Sequence, residues 1–415
     1  MSESYNSKRS LLALSAAAAA IPGPAQALQT GYRFSLYDEA ALPAGQAASG
    51  QSSERYRIQT HQLSLSAAPS REWELDADLM IESMSGASPW FVVPSADGQP
   101  VQIMSGATIQ DERYAMYGKA WRALDGDKRL GLSAGVSDEK DYFALSAGLE
   151  GEWELAGRQR TLSLGIGYSD DQIEPTDGGS ERFPDRISQA DKSTWSAVAG
   201  LSQILSPRTI VQGGISVAYA SGYLSDPYKL AFVEGRTVPD ARPDSRQQIA
   251  LNARLRHYLP EYKLGLQADY RWFGDDWGVD SDTIELGLWQ RPTPQLRLST
   301  RLRWYQQSRA AYYRPFYEEE RGDGYYSSDY RLSAYGAVAL RLGMDYFGQG
   351  WTLAAAVEGY EASGDYALRS VNLENPGLVE FLIYSVAVQI PFGASRAPAS
   401  DSPEQGDRSI RVVQD

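Results

Sequence analysis

The sequence has no cysteine and only two histidines, His61 and His257. Without cysteine there can be no disulfide, thiolate metal site or iron–sulfur cluster. Two histidines are too few to hold several haems, so a redox role would need a cofactor carried by another protein. Basic residues are in deficit: 39 lysines and arginines stand against 53 aspartates and glutamates, a formal charge of −14, which argues against a nucleic-acid surface. Long apolar runs are missing too. No stretch approaches the roughly 20 apolar residues that a spanning helix needs, and no long segment keeps a 3.6-residue period.

What the chain does have is tyrosine (26), tryptophan (10) and glycine (38), laid out in a two-residue rhythm. In 162–169, Leu162, Leu164, Ile166 and Tyr168 alternate with Ser163, Gly165, Gly167 and Ser169. Such a strand has one apolar face and one face too small or polar to build a core. The template recurs. Trp73, Leu75, Ala77, Leu79 and Ile81 alternate with Glu74, Asp76, Asp78 and Glu82; Leu296, Leu298, Thr300, Leu302 and Trp304 alternate with Arg297, Ser299, Arg301 and Arg303. About sixteen such segments fit between residues 30 and 391, fourteen to eighteen being the range the pattern allows; the fourteenth is expected at 329–342.

Connections are short at one set of ends (PSRE 69–72, SPR 206–208, PEY 260–262) and long and polar at most of the others (38–53, 85–110, 170–190, 221–245, 307–328, 363–378). Short turns on one side and long loops on the other predict a transmembrane antiparallel β-barrel, apolar outward and polar inward, with both termini in the periplasm of a Gram-negative cell. Closure also satisfies the backbone polar groups inside the hydrocarbon. Aromatics near strand ends, Trp73, Tyr168, Trp195, Tyr219, Tyr270, Trp272, Trp304, Trp351 and Tyr360, are expected to form interfacial girdles against outer-membrane lipid and lipopolysaccharide. Ahead of the barrel, Lys8 and Arg9 precede LLALSAAAAAI and a small-x-small site, a secretory signal expected over 1–27. The barrel is expected over 28–393, and 394–415 read as a Pro- and Ser-rich disordered periplasmic tail.

The inward positions collect charge. Arg254, Arg256, Arg271, Arg297, Arg301, Arg303 and Arg331 form a basic set; Glu74, Asp76, Asp78 and Asp269, with Glu82, Glu150, Glu285 and Glu358, form an acidic one. Such a lining can set ion preference, stiffen the wall or grip an inserted partner. His61 and His257 lack a nucleophile motif and a third member, so no enzyme activity is expected and they read as wall residues. The acidic loops 170–185 and 317–323 lack calcium-loop spacing and read as solvated; no metal site is expected.

Several longer blocks stand out: MSGASPW (84–90), GYLSDPYKL (222–230), RPDSR (242–246), DYRWFGDDWGVDSDTIELGL (269–288) and LRWYQQSRAAYY (302–313). Through them almost the whole mature chain resembles a bacterial envelope family known as domain of unknown function 3570. That resemblance implies an outer-membrane β-barrel encoded beside a small lipoprotein able to carry covalent flavin, a flavin transferase and a thioredoxin-like protein. It therefore implies a barrel that sheathes a flavin-bearing lipoprotein so that electrons cross the outer membrane; no cofactor is expected in this chain. The alternative is a passive porin for small charged solutes. The blocks mark Tyr223, Asp226, Pro227, Tyr228, Trp272, Trp277, Tyr305, Tyr312 and Tyr313 as candidates for a mouth or plug contact, the other reading being turn formers and interfacial aromatics.

Overall fold

Sixteen alternating segments close into one antiparallel barrel in the computed structural model, which describes residues 28–392 apart from 44, 49, 51, 52, 106–108 and 125. The expected leader (1–27) and tail (394–415) lie outside the described residues. The wall runs β1 (Leu28–Glu39), β2 (Arg57–Ala67), β3 (Trp73–Gly86), β6 (Ile109–Ala123), β7 (Lys128–Asp138), β8 (Tyr142–Leu155), β9 (Arg160–Ile173), β10 (Ala190–Ser206) and β11 (Thr209–Gly222). It continues through β14 (Ser245–Leu259), β15 (Leu264–Asp275), β16 (Asp280–Thr293), β17 (Leu296–Gln307), β18 (Tyr335–Gly348), β19 (Trp351–Ser363) and β20 (Glu380–Phe392). The ring closes where β1 pairs antiparallel with β20, from Leu28 opposite Phe392 to Glu39 opposite Phe381. Closure leaves no free sheet edge, which matters where no water can satisfy one.

Side-chain parity decides what each face meets. Leu164, Ile166, Ile215, Val217, Leu286, Leu302, Leu340 and Val386 are all well exposed on the outside. Leucines and valines left open around a whole cylinder belong in hydrocarbon rather than water. Aromatic residues band this surface towards both rims. Tyr168 and Trp195 meet with ring centroids 4.7 Å apart nearer the loop rim, and Tyr346 and Trp351 at 5.6 Å by the turn rim. Tyr360 departs from the expected girdle. It shares parity with Glu358, faces inward, and stacks on Phe381 at 4.5 Å and 8°.

The two rims differ as expected. At one, the strands are joined by turns such as the single 3-10 turn Pro260–Tyr262. At the other, long loops carry two extra hairpins, β4 (Pro89–Pro94) with β5 (Pro100–Met104), and β12 (Leu230–Val233) with β13 (Arg236–Pro239). The buried hydrophobic clusters among the described residues gather towards this loop rim rather than inside the wall. The fourteenth wall strand starts at Tyr335, not at 329.

Candidate functional site

The loops fold into a cap across their end of the barrel. Local sequence starts it. Asp226 accepts the Tyr228 amide at 3.0 Å, so the Asp-Pro step turns the chain as soon as it leaves β11. Gly222 at that exit has φ 111°, and a Cβ there would run into the Asp191 carbonyl. Glu234 (φ 46°) and Gly235 (φ 80°) make the left-handed pair that closes the two-residue hairpin between β12 and β13.

Apolar burial then joins the loops. Trp277, Val279, Ala310, Tyr312, Tyr313 and Leu332 form one buried cluster, with Trp277 and Tyr312 edge to face at 5.6 Å. Ala231 and Val233 of the hairpin pack on Tyr317. The Trp277 indole donates to the Ser245 carbonyl at 2.9 Å, and Arg246 lies 4.4 Å over its ring. Tyr317 donates to the Tyr312 carbonyl at 2.7 Å and accepts from the Ser327 amide at 2.8 Å. Burial among these partners pushes its phenol up to about 12. Asn375, from the last loop, donates to the Tyr313 hydroxyl at 2.7 Å and the Ser328 carbonyl at 3.0 Å, and accepts from the Gly377 amide at 2.7 Å.

An ion network centred on the buried carboxylates of Asp240 and Asp329 ties the same loops. Arg242 donates to Asp240 at 2.7 Å and to Asp329 at 2.9 Å. Arg331 donates to Asp329 at 2.6 Å and to Asp226 at 2.9 Å. Burial opposes the charge on Asp329, but Arg331, Lys229 and Arg242 together hold its carboxyl well below the usual carboxylate range. At the edge of the cap Arg55 donates to Glu39 at 2.6 Å and to the Gly377 carbonyl at 3.1 Å.

Loops from opposite sides of the ring meet in this cap. The Lys229 ammonium, on the loop between β11 and β14, donates at 2.8 Å to the Pro89 carbonyl, on the loop between β3 and β6. In the ring order those two roots stand six strands apart one way and ten the other. Strand β12 packs on β4 there, so the mouth is bridged.

Beneath the cap the lumen wall is strongly patterned. Arg254, Arg256, Arg271, Arg297, Arg301 and Arg303 all occupy inner-face positions, as their register against Asp269, Gln267, Asp345 and Glu285 requires. Arg254 pairs with Asp269 at 2.6 Å, Arg297 with Asp345 at 2.9 Å and Arg303 with Glu285 at 2.8 Å. Arg256 donates to Gln267 at 3.0 Å, Arg271 lies over Phe273 at 5.2 Å and Arg301 over Trp289 at 5.4 Å. On β3, Glu74 lies 3.5 Å from Arg129, Asp76 accepts from Ser66 at 2.6 Å and Asp78 from Gln62 at 3.2 Å.

Tallied by sector, the charges separate. Apart from the Arg246–Asp275 pair at the loop rim, the inner face of β14–β19 carries those six arginines, Arg291 and Arg341 against Asp269, Glu285, Asp345 and Glu358, an excess of four positive charges. The inner face of β2, β3 and β6 carries Glu74, Asp76, Asp78, Glu82 and Asp111 against Arg113 and Lys119, an excess of three negative charges. From β3 to β16 the ring order is nine strands one way and seven the other, so the two sectors face each other. Between them the middle of β8–β11 presents small residues such as Ser146, Gly165, Gly167, Ser196 and Gly200.

Several sequence expectations need correcting. Arg331 is not on the wall. It sits in the 3-10 turn Tyr330–Leu332, where Asp329 caps the turn and takes the guanidinium. Trp272 does not reach the mouth, because it shares the outer face with the exposed Tyr270 and meets lipid. Tyr305 faces inward on the wall, its ring 5.7 Å from Tyr335. The remaining mouth candidates do come together at the cap. Tyr312, Tyr313 and Trp277 share its core, Asp226 and Pro227 make its first turn, and Tyr228 hydrogen-bonds Asp141 and the Thr176 amide. Tyr223 also lies in this loop, its phenol pushed up to about 12 by burial and by the nearby Asp240 and Asp226 carboxylates. Missed altogether were Arg242, Asp329, Asn375 and Lys229. The blocks RPDSR and GYLSDPYKL contain Arg242 and Lys229, but no spacing rule linked them to residue 329 or 375.

Comparison with known proteins adds the following. A family model described as "Protein of unknown function (DUF3570)" matches residues 11–378. No curated protein matches the chain in sequence. Among solved structures, a mutant of the ferric enterobactin receptor PfeA from Pseudomonas aeruginosa is 13% identical over 82% of this chain and 54% of its own, with a TM-score of 0.42. CdiB from Acinetobacter baumannii is 9% identical over 88% of this chain and 60% of its own (TM-score 0.47), and OccK8 (OprE) from P. aeruginosa is 10% identical over 89% and 98% (TM-score 0.43). The chain thus spans about half the length of the enterobactin receptor it matches.

Proposed function

On the premise that this chain belongs to the DUF3570 family, we propose that it is an outer-membrane sheath around a small redox protein, which brings the flavin and passes electrons outward through the barrel. The long-loop rim is assigned to the cell exterior and the turn rim to the periplasm, the usual disposition of such barrels. Residues 28 and 392 then both lie on the periplasmic side, where a lipoprotein could enter.

The observation that supports this reading over an open pore is the bridged mouth. Lys229 and Pro89 join loops rooted on opposite sides of the ring, over a cap with its own apolar core and buried ion pairs. A passive channel works by keeping its cross-section free, and a cap of this kind costs conductance. A sheath needs a wall, a seat for its occupant and an outer surface against which the occupant stops. The chain's own residues supply these: the Trp277–Tyr312–Tyr313 core holds the stop in place, and the paired arginines and carboxylates line the seat.

The test is native purification from the producing cell in mild detergent, followed by planar-bilayer recording. The sheath reading expects a small protein at fixed stoichiometry, fluorescent as a flavoprotein under ultraviolet light, and little conductance through the isolated barrel. Large, steady conductance with nothing co-eluting would establish the porin instead.

A further inference from the structure

We propose that the lumen is a bipolar seat whose occupant is a polypeptide element carrying acidic side chains along one side and basic side chains along the other. The inference rests on the sheath reading for the nature of the occupant, and on the charge map of the wall for its chemistry. An excess of four positive charges on β14–β19 faces an excess of three negative charges on β2, β3 and β6 across the lumen.

Such separation creates a field across the lumen rather than along it. Low-dielectric walls focus field lines into the space between them. Screening acts over about 8 Å at physiological salt, so groups lying against either wall feel that wall's sign. The rows are held rigid. Arg254, Arg297 and Arg303 are each fixed by a carboxylate on a neighbouring strand, and Arg301 by the Trp289 ring. A rigid guanidinium row loses little side-chain freedom on binding a carboxylate, and its fork geometry favours a two-point contact. On the flank, Gly165, Gly167 and Gly200 add no side chain of their own to the lumen. The bridged mouth favours a resident element over solutes in transit. A uniformly acidic partner would be repelled by one wall and a uniformly basic one by the other; only an element of split charge satisfies both.

The experiment uses the full-length barrel in detergent micelles with two fluorescein-labelled probes, a glutamate decapeptide and a lysine decapeptide, read by anisotropy at low salt. The variant Arg256→Ser/Arg271→Ser/Arg301→Ser leaves the Arg254–Asp269, Arg297–Asp345 and Arg303–Glu285 pairs in place. It should weaken the glutamate probe at least tenfold and change the lysine probe less than twofold. Asp76→Asn/Asp78→Asn/Glu82→Gln should do the reverse. Heat-modifiable gel mobility reports folding of each variant, and Arg301→Gln and Asp78→Asn alone serve where a triple variant does not assemble. Equal effects on both probes, or no binding of either, overturn the bipolar seat. If the probes discriminate but no small protein co-purifies and the barrel conducts freely, the seat stands and the sheath falls. If a small protein co-purifies while the probes fail to discriminate, the seat falls and the sheath stands.

Discussion

Arg242 and Asp329 meet at 2.9 Å with side chains 10% and 0% exposed, joining two loops rooted at different places on the ring. Asp329 also takes Arg331, so one carboxylate serves two guanidiniums. Removing Asp329 leaves Arg242 with Asp240 and Arg331 with Asp226 as their remaining carboxylates, at a cost of about 1.5–3 kcal/mol. Asp329→Ala should therefore loosen the cap without unfolding the wall, whose backbone ladder it does not touch. Trypsin added to intact cells should cut near residues 242 and 321–331 in the variant and spare the parent, with heat-modifiable mobility unchanged. An unchanged cleavage pattern would show that the apolar core alone holds the cap.

A second expectation concerns pH. Glu139, in the turn between β7 and β8, is pushed up to about 7, first by burial and then by Asp111, Asp141 and Glu82, with Arg113 pulling the other way. A carboxyl whose folded value lies above its unfolded value takes up a proton on folding. Its ionisation therefore costs stability increasingly as pH rises from about 4.5 towards 7, and nothing below that window. Glu139→Gln should remove this loss, worth up to about 3 kcal/mol, and flatten the barrel's midpoint in urea between pH 5 and pH 8. A parent barrel whose midpoint rises across that range would contradict it.

The assignment of inside and outside can be tested with two residues of similar exposure. Ile166 is 56% exposed and Val198 49%, on neighbouring strands but opposite faces. Arginine at mid-depth on a lipid face costs about 2–4 kcal/mol, whereas a lumen position tolerates it. Ile166→Arg should cut the folded fraction recovered in the outer membrane severalfold, and Val198→Arg should leave it close to parental. Equal yields would mean the faces are misassigned.

Two tyrosines of the cap separate hydrogen bonding from packing. The Tyr317 hydroxyl has backbone partners on both sides, while the Tyr312 hydroxyl, equally buried, finds none among the described residues. Tyr317→Phe leaves a buried carbonyl and amide short of a partner and should cost about 1–3 kcal/mol. Tyr312→Phe should be neutral or slightly stabilising. Protease resistance of the cap, titrated with urea, ranks the two.

The strands were readable because their signal is local. In 162–169 the apolar parity that suggests a strand is the parity that later faces lipid, and the same holds for 73–81 and 296–304. Parity also predicted that Arg254, Arg297 and Arg303 would face inward. It misled at Arg331, whose phase continues smoothly into Tyr335 and Arg341. The Asp329 side chain caps 330–332 into a 3-10 turn, and the run Ser327–Ser328–Asp329 was the local turn signal that the alternation obscured. At Trp272 the alternation was right, and the aromatic cluster around the acidic turn suggested a mouth position that the outer face takes instead.

Taken alone, the sequence determined an amphipathic two-residue period, repeated and punctuated often enough that a closed lipid-facing wall follows, because backbone hydrogen bonding and side-chain alternation act between near neighbours. Only the tertiary structure decided that the loops bridge the mouth and that the lumen's charges divide into opposed walls. Both depend on which residues far apart in the chain are carried to facing points of the ring, and ring closure, not any local propensity, sets those distances.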